Sequence, residues 1–280
     1  MSQPKIKRKK SLYKRALESK KAQLAGSIIF PVLFGILIFA LWQGQALHAM
    51  FRTDTYTLPV PTKIISILGD NLDKTIENVK STVIVAAMGL VFGSILGYLV
   101  AVLAACKPKV GKGGLSVIGA FASIPVVALA PVINNLTKDV SNDASVRSMV
   151  AKIIVVMLIA AANMCLNAYR GLTELKPYAE DLMATYAAKN RMTLLKLRLP
   201  NSVPYVFIAL KVAVPASIMT AIVSEYFAEY ITGVGRQIRE NIVLAQYSTA
   251  WAYIVAACAI GVAAYIILMA VQCIVMRRYH

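Results

Sequence analysis

Six stretches of this 280-residue chain run long enough to cross a membrane with almost no charged side chain. A spanning helix needs about 20 predominantly apolar residues, because hydrocarbon offers no hydrogen-bond partner to a backbone that is not already paired. Residues 22–51, 81–106, 113–137, 153–169, 199–224 and 241–276 form such windows, the fifth interrupted only by Lys211. The fourth has 17 residues and reaches the required length if Lys152 extends to the headgroups. The windows predict an all-α, polytopic membrane protein with six transmembrane helices. The first helix, over 26–47, reads as a retained anchor rather than a signal peptide, since Gly26, Pro31 and Gly35 form no small-residue cleavage pattern.

Hydrophobic residues make up 58% of the chain and charged residues 15%, which excludes an ordinary soluble domain, a disordered chain and a disulfide scaffold. The net charge of +17 would suit a nucleic-acid face if it were gathered on one folded surface. Instead, nine of the 30 basic residues lie in the first 21 positions, directly ahead of an apolar window, as a cytoplasmic membrane flank does. With the N-terminus inside, the tail, 106–115, 170–200 and 277–280 hold twenty basic residues, against seven in 48–78, 137–148 and 226–250. Both termini are therefore expected in the cytoplasm of a multi-pass cell-membrane protein. The chain divides into a basic tail (1–25), the first helix (26–47), an external amphipathic segment (58–78) and a core (79–276) that includes a cytoplasmic loop at 170–200. Within the external segment, Ile64, Ile65, Ile67, Leu68 and Leu72 follow Pro59 and Pro61 on roughly one helical face. They predict a surface helix over 62–78, an ordinary connector being the alternative.

Chemistry-bearing clusters are sparse. Cys106, Cys165, Cys258 and Cys273 show no CxxC spacing, and two histidines, His48 and His280, form no HExxH arrangement, so no metal site is indicated. There is no GxxxxGK[ST] phosphate loop. The informative segment is the loop between the fourth and fifth windows. Ala179, Leu182, Met183, Tyr186 and Ala187 recur at helical spacing, a second short run spans Met192 to Leu199, and Pro200 is expected to end it. Such a pair of amphipathic helices can lie in headgroups or dock into a groove of a soluble partner.

Asp181-Leu-Met-Ala-Thr-Tyr-Ala187-Ala188 followed by Leu197-Arg198-Leu199-Pro200 resembles the EAA loop of binding-protein-dependent ABC importer permeases. That pattern is Glu-Ala-Ala, a glycine four residues after the second alanine, then Ile-x-Leu-Pro about ten residues later. The resemblance extends to Phe121–Pro131, Asn167–Leu172, Asn201–Glu225, Gly233-Val-Gly235 and Trp251-Ala, about residues 58–276 in all. It is nearest to the branch that imports nitrate, taurine, aliphatic sulfonates, or pyrimidine and thiamine precursors. Here Asp181 stands for the glutamate, Leu182 and Met183 for two alanines, and Ala187 for the glycine. An alanine is strained at that point if the glycine serves a positive φ, and tolerable if it serves close approach.

The resemblance implies a transport permease rather than an enzyme, with no cofactor of its own. It implies a separate ABC ATPase holding ATP and magnesium, an extracytoplasmic solute-binding protein and a second permease copy, a homodimer being expected. Asp181, Leu182, Tyr186, Ala187, Ala188, Leu197, Leu199 and Pro200 would contact the ATPase. Pro125, Pro131, Lys211 and Glu225 are candidates for the translocation path. Each has a plainer reading: the prolines as packing kinks, Lys211 reaching headgroups, Glu225 at the interface. Asn163 and Asn167, four apart on one face, read as helix–helix hydrogen-bonding groups. An ion-coupled secondary transporter is the alternative, although it usually carries carboxylates near the midplane.

Overall fold

The computed structural model describes residues 20–121, 123–228, 230 and 232–277. Most of the basic tail, the end of the chain from 278 and the side chain of His280 lie outside them. All regular structure among the described residues is helical. The helices fall into two units, 1–66 and 67–280.

In the first unit, α1 (Lys20–Gln43) carries from Ile29 onward an almost uniformly exposed apolar surface, as a helix facing lipid does. It ends short of the predicted 26–47 boundary. Gln45 turns the chain with a φ of 60°, and α2 (Ala46–Phe51) follows. The Trp42 indole donates to the Pro59 carbonyl at 3.1 Å, and His48 Nε2 lies 2.6 Å from the Leu58 carbonyl, so the connector folds back on the end of α1. α3 (Pro61–Asp70) begins on a proline, whose missing N–H would have had no helical partner there. The predicted surface helix over 62–78 is corrected: α3 stops at Asp70, and residues from Leu72 are already the first turns of the next helix.

In the second unit, α4 (Leu72–Cys106), α7 (Ala144–Thr173), the run Asn190–Tyr226 and α12 (Tyr247–Met276) are each long and apolar enough to span a membrane. α7 is the central helix, packed on one side by α4 and on another by α10 (Leu199–Tyr226). Lipid tails are as apolar as any core, so helices associate through close packing of small residues. Gly89, Gly93 and Gly97 make that approach on α4. A Cβ at Gly89 would stand 2.5 Å from Val156 Cβ, one at Gly93 2.8 Å from Ala160 Cβ, and one at Gly97 3.0 Å from Ala161 Cα.

The third predicted window is divided. α5 (Pro108–Phe121) and α6 (Val126–Leu136) are separated by a break at whose end Pro125 adopts an extended ψ of 125°. A helix cannot run through that conformation. α8 (Ala179–Thr185), α9 (Asn190–Thr193) and α11 (Val234–Val243) are the short helices at the two ends of the long ones.

Candidate functional site

The loop singled out from the sequence folds as a helix, a turn and a widened turn. α8 opens with Glu180 and Asp181 in its first turn, where carboxylates favour the positive end of a helix. Tyr178, Leu182 and Tyr186 fall at four-residue intervals and are 81%, 57% and 76% exposed, a ridge of apolar side chains with nothing over it in the isolated chain. Past Thr185, the Ala187 N–H donates to the Ala184 carbonyl and the Ala188 N–H to the Met183 carbonyl, while Ala187 adopts a φ of 49°. This is the left-handed helix stop that glycine usually occupies. Ala187 therefore stands in a strained position, and of the two roles open for the family's glycine, the geometry is that of positive φ.

Pro200 does not end the second run, contrary to the sequence expectation. Residues Leu194–Arg198 form a π-turn, in which the Leu199 N–H reaches the Leu194 carbonyl, and the helix continues as α10. Proline has no N–H, and its ring crowds the carbonyl four residues back. A turn widened by one residue relieves both. Leu197 and Leu199 are half-buried, Leu199 against the cluster around Ala105, Cys165 and Ala209, while Pro200 is exposed.

Four hydrogen bonds fix this assembly. Arg198 donates to Glu180 Oε1 at 2.7 Å and to the Ala105 carbonyl at 3.0 Å, joining α8 to the last turn of α4. The Asn201 amide donates to the Gly171 and Glu174 carbonyls at 2.8 and 3.2 Å, closing the end of α7. A cleft of about 440 Å³ opens beside Arg198, with Arg191 and Cys106 on its walls. From the sequence, Arg198 and Asn201 stand out only as parts of resembling stretches and Glu180 not at all, because their partners lie on other helices.

At the other end of α10, Glu225 is 0% exposed. Its Oε2 accepts from the Gly235 N–H at 2.9 Å and lies 3.0 Å from the Thr82 hydroxyl. The Thr82 hydroxyl accepts from the Val234 N–H, and Asn78 Oδ1 from the Gly233 N–H, each at 2.9 Å. Three successive amides opening α11 are thus satisfied by side chains of α4 and α10 rather than by a local cap. Gly233 has a φ of 106°, and a Cβ there would collide with the Glu225 carboxyl. Arg239 donates to the Tyr226 carbonyl at 3.2 Å and stands over the Tyr226 ring, pinning α11 to the end of α10. Glu225 is thus enclosed by α4, α10 and α11 rather than exposed at the end of its helix.

Lys152 is corrected too. It is 3% exposed and reaches toward the Thr232 carbonyl at 3.5 Å rather than to headgroups. Asn163 and Asn167 donate to carbonyls of their own helix, Ile159 and Asn163, and not across helices. Lys211 is half-buried on α10, 14 residues and about 21 Å of helix from Glu225, so those two do not meet. Pro125 is exposed at the break and Pro131 half-buried inside α6.

Residues 89–280 match the family described as binding-protein-dependent transport system inner membrane component. The chain belongs to that family. The permease is 25% identical over 197 residues to a formylaminopyrimidine transport permease protein, ThiX, of Halalkalibacterium halodurans, covering 70% of this chain and 74% of that one. It is 24% identical over 199 residues to a probable ABC transporter permease protein of Haemophilus influenzae, covering 71% and 77%. Its fold resembles a chain of the inward-facing MetNI methionine ABC transporter, with a TM-score of 0.51 and 17% identity over 71% of this chain and 95% of that chain. The permease is thus a membrane transport component of an ABC importer, not an enzyme, and the family takes the place of the ion-coupled alternative.

Proposed function

We propose that the permease, paired with a second copy, forms the membrane path of an importer for a small solute, and that α8 is the handle received by a separate ATPase that holds ATP and magnesium. The observation that carries this reading is the uncovered ridge of Tyr178, Leu182 and Tyr186. An apolar helix face of this size, with acidic residues in its first turn, suits a groove on a soluble protein. Arg198 ties α8 to α4 through the Ala105 carbonyl. The run from Asn190 to Tyr226 is an uninterrupted helical rod of 37 residues. Displacement of α8 by the ATPase would be carried along that rod to the Glu225 end, where the path opens to the outside and an extracytoplasmic binding protein delivers the solute. Both termini lie in the cytoplasm in this reading, and the chain crosses the membrane six times.

The solute is a small organic anion such as a sulfonate, taurine or nitrate, or a compound of the pyrimidine or thiamine-precursor type. The formylaminopyrimidine permease of Halalkalibacterium halodurans supports the second class, and the cavity in front of the buried Lys152 the first.

Leu182→Asp and Tyr186→Asp test the handle. Each places a charge on the ridge without touching a buried side chain. The ATPase is expected to be lost from the purified complex while the permease still inserts in the membrane. Retention of the ATPase by both variants would remove the docking role from α8.

A further inference from the structure

We infer that the cavity in front of Lys152 is an anion-binding site that takes a small oxyanion, either the carboxylate or sulfonate group of a solute or a free inorganic anion. The inference rests on the outward placement of the Glu225 end given above. The cavity measures about 230 Å³ and lies between α4, α7 and the segment around Thr232. Lys152 supplies its cation, and Ser81, Ser145, Tyr230 and Thr232 its hydroxyl-bearing positions.

The unused donors of Lys152 point to an anion. Lys152 is buried, and its one hydrogen bond among the described residues is the long approach of 3.5 Å to the Thr232 carbonyl. An ammonium has three donors. A cation at such depth faces a partner or a water-filled cavity, since burying it alone is costly. The carboxylate whose field acts on Lys152 is Glu225. That carboxylate is engaged through Oε2 by Thr82 and by the Gly235 N–H at the opening of α11, whose helix end carries partial positive charge, while its Oε1 is buried without a hydrogen-bond partner. Asp143, at the start of α7, is engaged by the Ser145 N–H at 2.8 Å. Neither carboxylate forms an ion pair with Lys152, so its remaining donors are left to the cavity.

Size and placement agree with this. The volume has room for roughly seven waters, or for a group the size of nitrate or methanesulfonate with part of its hydration. Ser145, Met149 and Lys152 share one face of α7. The backbone of Lys152 is about 12 Å along the helix from Ala144, near the end that opens to the outside.

The test is isothermal titration of the full chain in lipid nanodiscs with sodium methanesulfonate, sodium nitrate and, as the uncharged counterpart, dimethyl sulfone. No ATPase is needed, so the outcome is independent of whether α8 docks as proposed. Methanesulfonate is expected to bind saturably and dimethyl sulfone at least about tenfold more weakly, the loss of a charge-assisted contact. Nitrate binding as tightly as methanesulfonate marks a site for a free inorganic anion, and preference for methanesulfonate marks one for the anionic group of a solute; either supports the site. Lys152→Met is expected to weaken methanesulfonate at least about tenfold and Lys152→Arg to retain most of the binding. Ser81→Phe, which fills the cavity with the cation in place, is expected to abolish it.

If Lys152→Met does not fold, the double variant Lys152→Met with Glu225→Gln removes both charges together. A double variant that folds without binding supports the site. Equal binding by the wild type and either Lys152→Met variant, equal binding of dimethyl sulfone, or the absence of saturable methanesulfonate binding overturns it and leaves Lys152 as the counter-charge of Glu225.

Discussion

Arg198 holds Glu180 at 2.7 Å across 18 residues of chain, and with its other nitrogen it holds the Ala105 carbonyl at the end of α4. The two bonds are unequal in worth. Glu180 is half exposed, and an exposed ion pair contributes about 0–1 kcal/mol. The Ala105 carbonyl is one of the unpaired acceptors at a helix end, so its loss leaves a buried group unsatisfied. Glu180→Ala is therefore expected to leave transport-coupled ATP hydrolysis nearly unchanged. Arg198→Ala is expected to reduce it several-fold while the complex still assembles. Equal effects from the two variants would place the role of Arg198 in the ion pair alone.

Ala187→Gly removes a side chain from a left-handed position, where a non-glycine residue costs about 1–2 kcal/mol. Glycine also increases the freedom of the unfolded chain, which offsets part of the gain. A rise in the thermal midpoint of the purified permease is expected, with the ATPase bound at least as well as in the wild type. A lower midpoint would show that Ala187 contributes a contact outweighing the strain.

Gly233→Ala meets two obstacles. The backbone conformation is one that essentially only glycine adopts, costing another residue about 1–3 kcal/mol, and the new methyl would collide with the Glu225 carboxyl. Loss of folded protein from the membrane is expected. Gly261→Ala is the matched control, since a Cβ at Gly261 meets nothing within 4 Å; size-exclusion profiles of the two in detergent compare them directly.

Glu225→Ala leaves the Gly235 N–H without its acceptor, at about 1–3 kcal/mol for a buried group, while the Thr82 hydroxyl keeps the Asn78 carbonyl as acceptor at 3.1 Å. Glu225→Gln keeps one acceptor oxygen in place. The alanine variant is expected to melt well below the glutamine variant, and both below the wild type. Indistinguishable melting of alanine and glutamine would mean that water replaces the lost acceptor.

Gly93→Val forces α4 away from α7, because the space a Cβ would need is held by Ala160 and the backbone around Ala161. Strong destabilisation is expected, whereas Ile95→Val, on the exposed side of the same helix, should be close to neutral. Protease resistance in membranes separates the two outcomes.

The loop at 170–200 was largely legible because its cues are local. The helical spacing of Leu182 and Tyr186 and the position of Ala187 can be read within one turn or two. Pro200 was misread as a stop because the relief of its missing N–H depends on the turn before it, which can widen as well as end. The Glu225 cluster was not legible as a cluster. Asn78, Thr82, Glu225 and Gly235 are spread over more than 150 residues, and the residues alone do not say which faces of α4, α10 and α11 meet. Lys152 was read as a headgroup anchor by the length of its window.

The amino-acid order alone settled that this chain is a set of apolar helices, since a backbone in hydrocarbon must satisfy its own hydrogen bonds, and that one amphipathic segment lies between the fourth and fifth of its apolar windows. The helical rotations, the burial of Lys152 and Glu225, and the capping of α11 by distant side chains came only with the packed structure. Those outcomes depend on how closely neighbouring backbones approach, and close approach is a property of pairs of helices that neither member carries by itself.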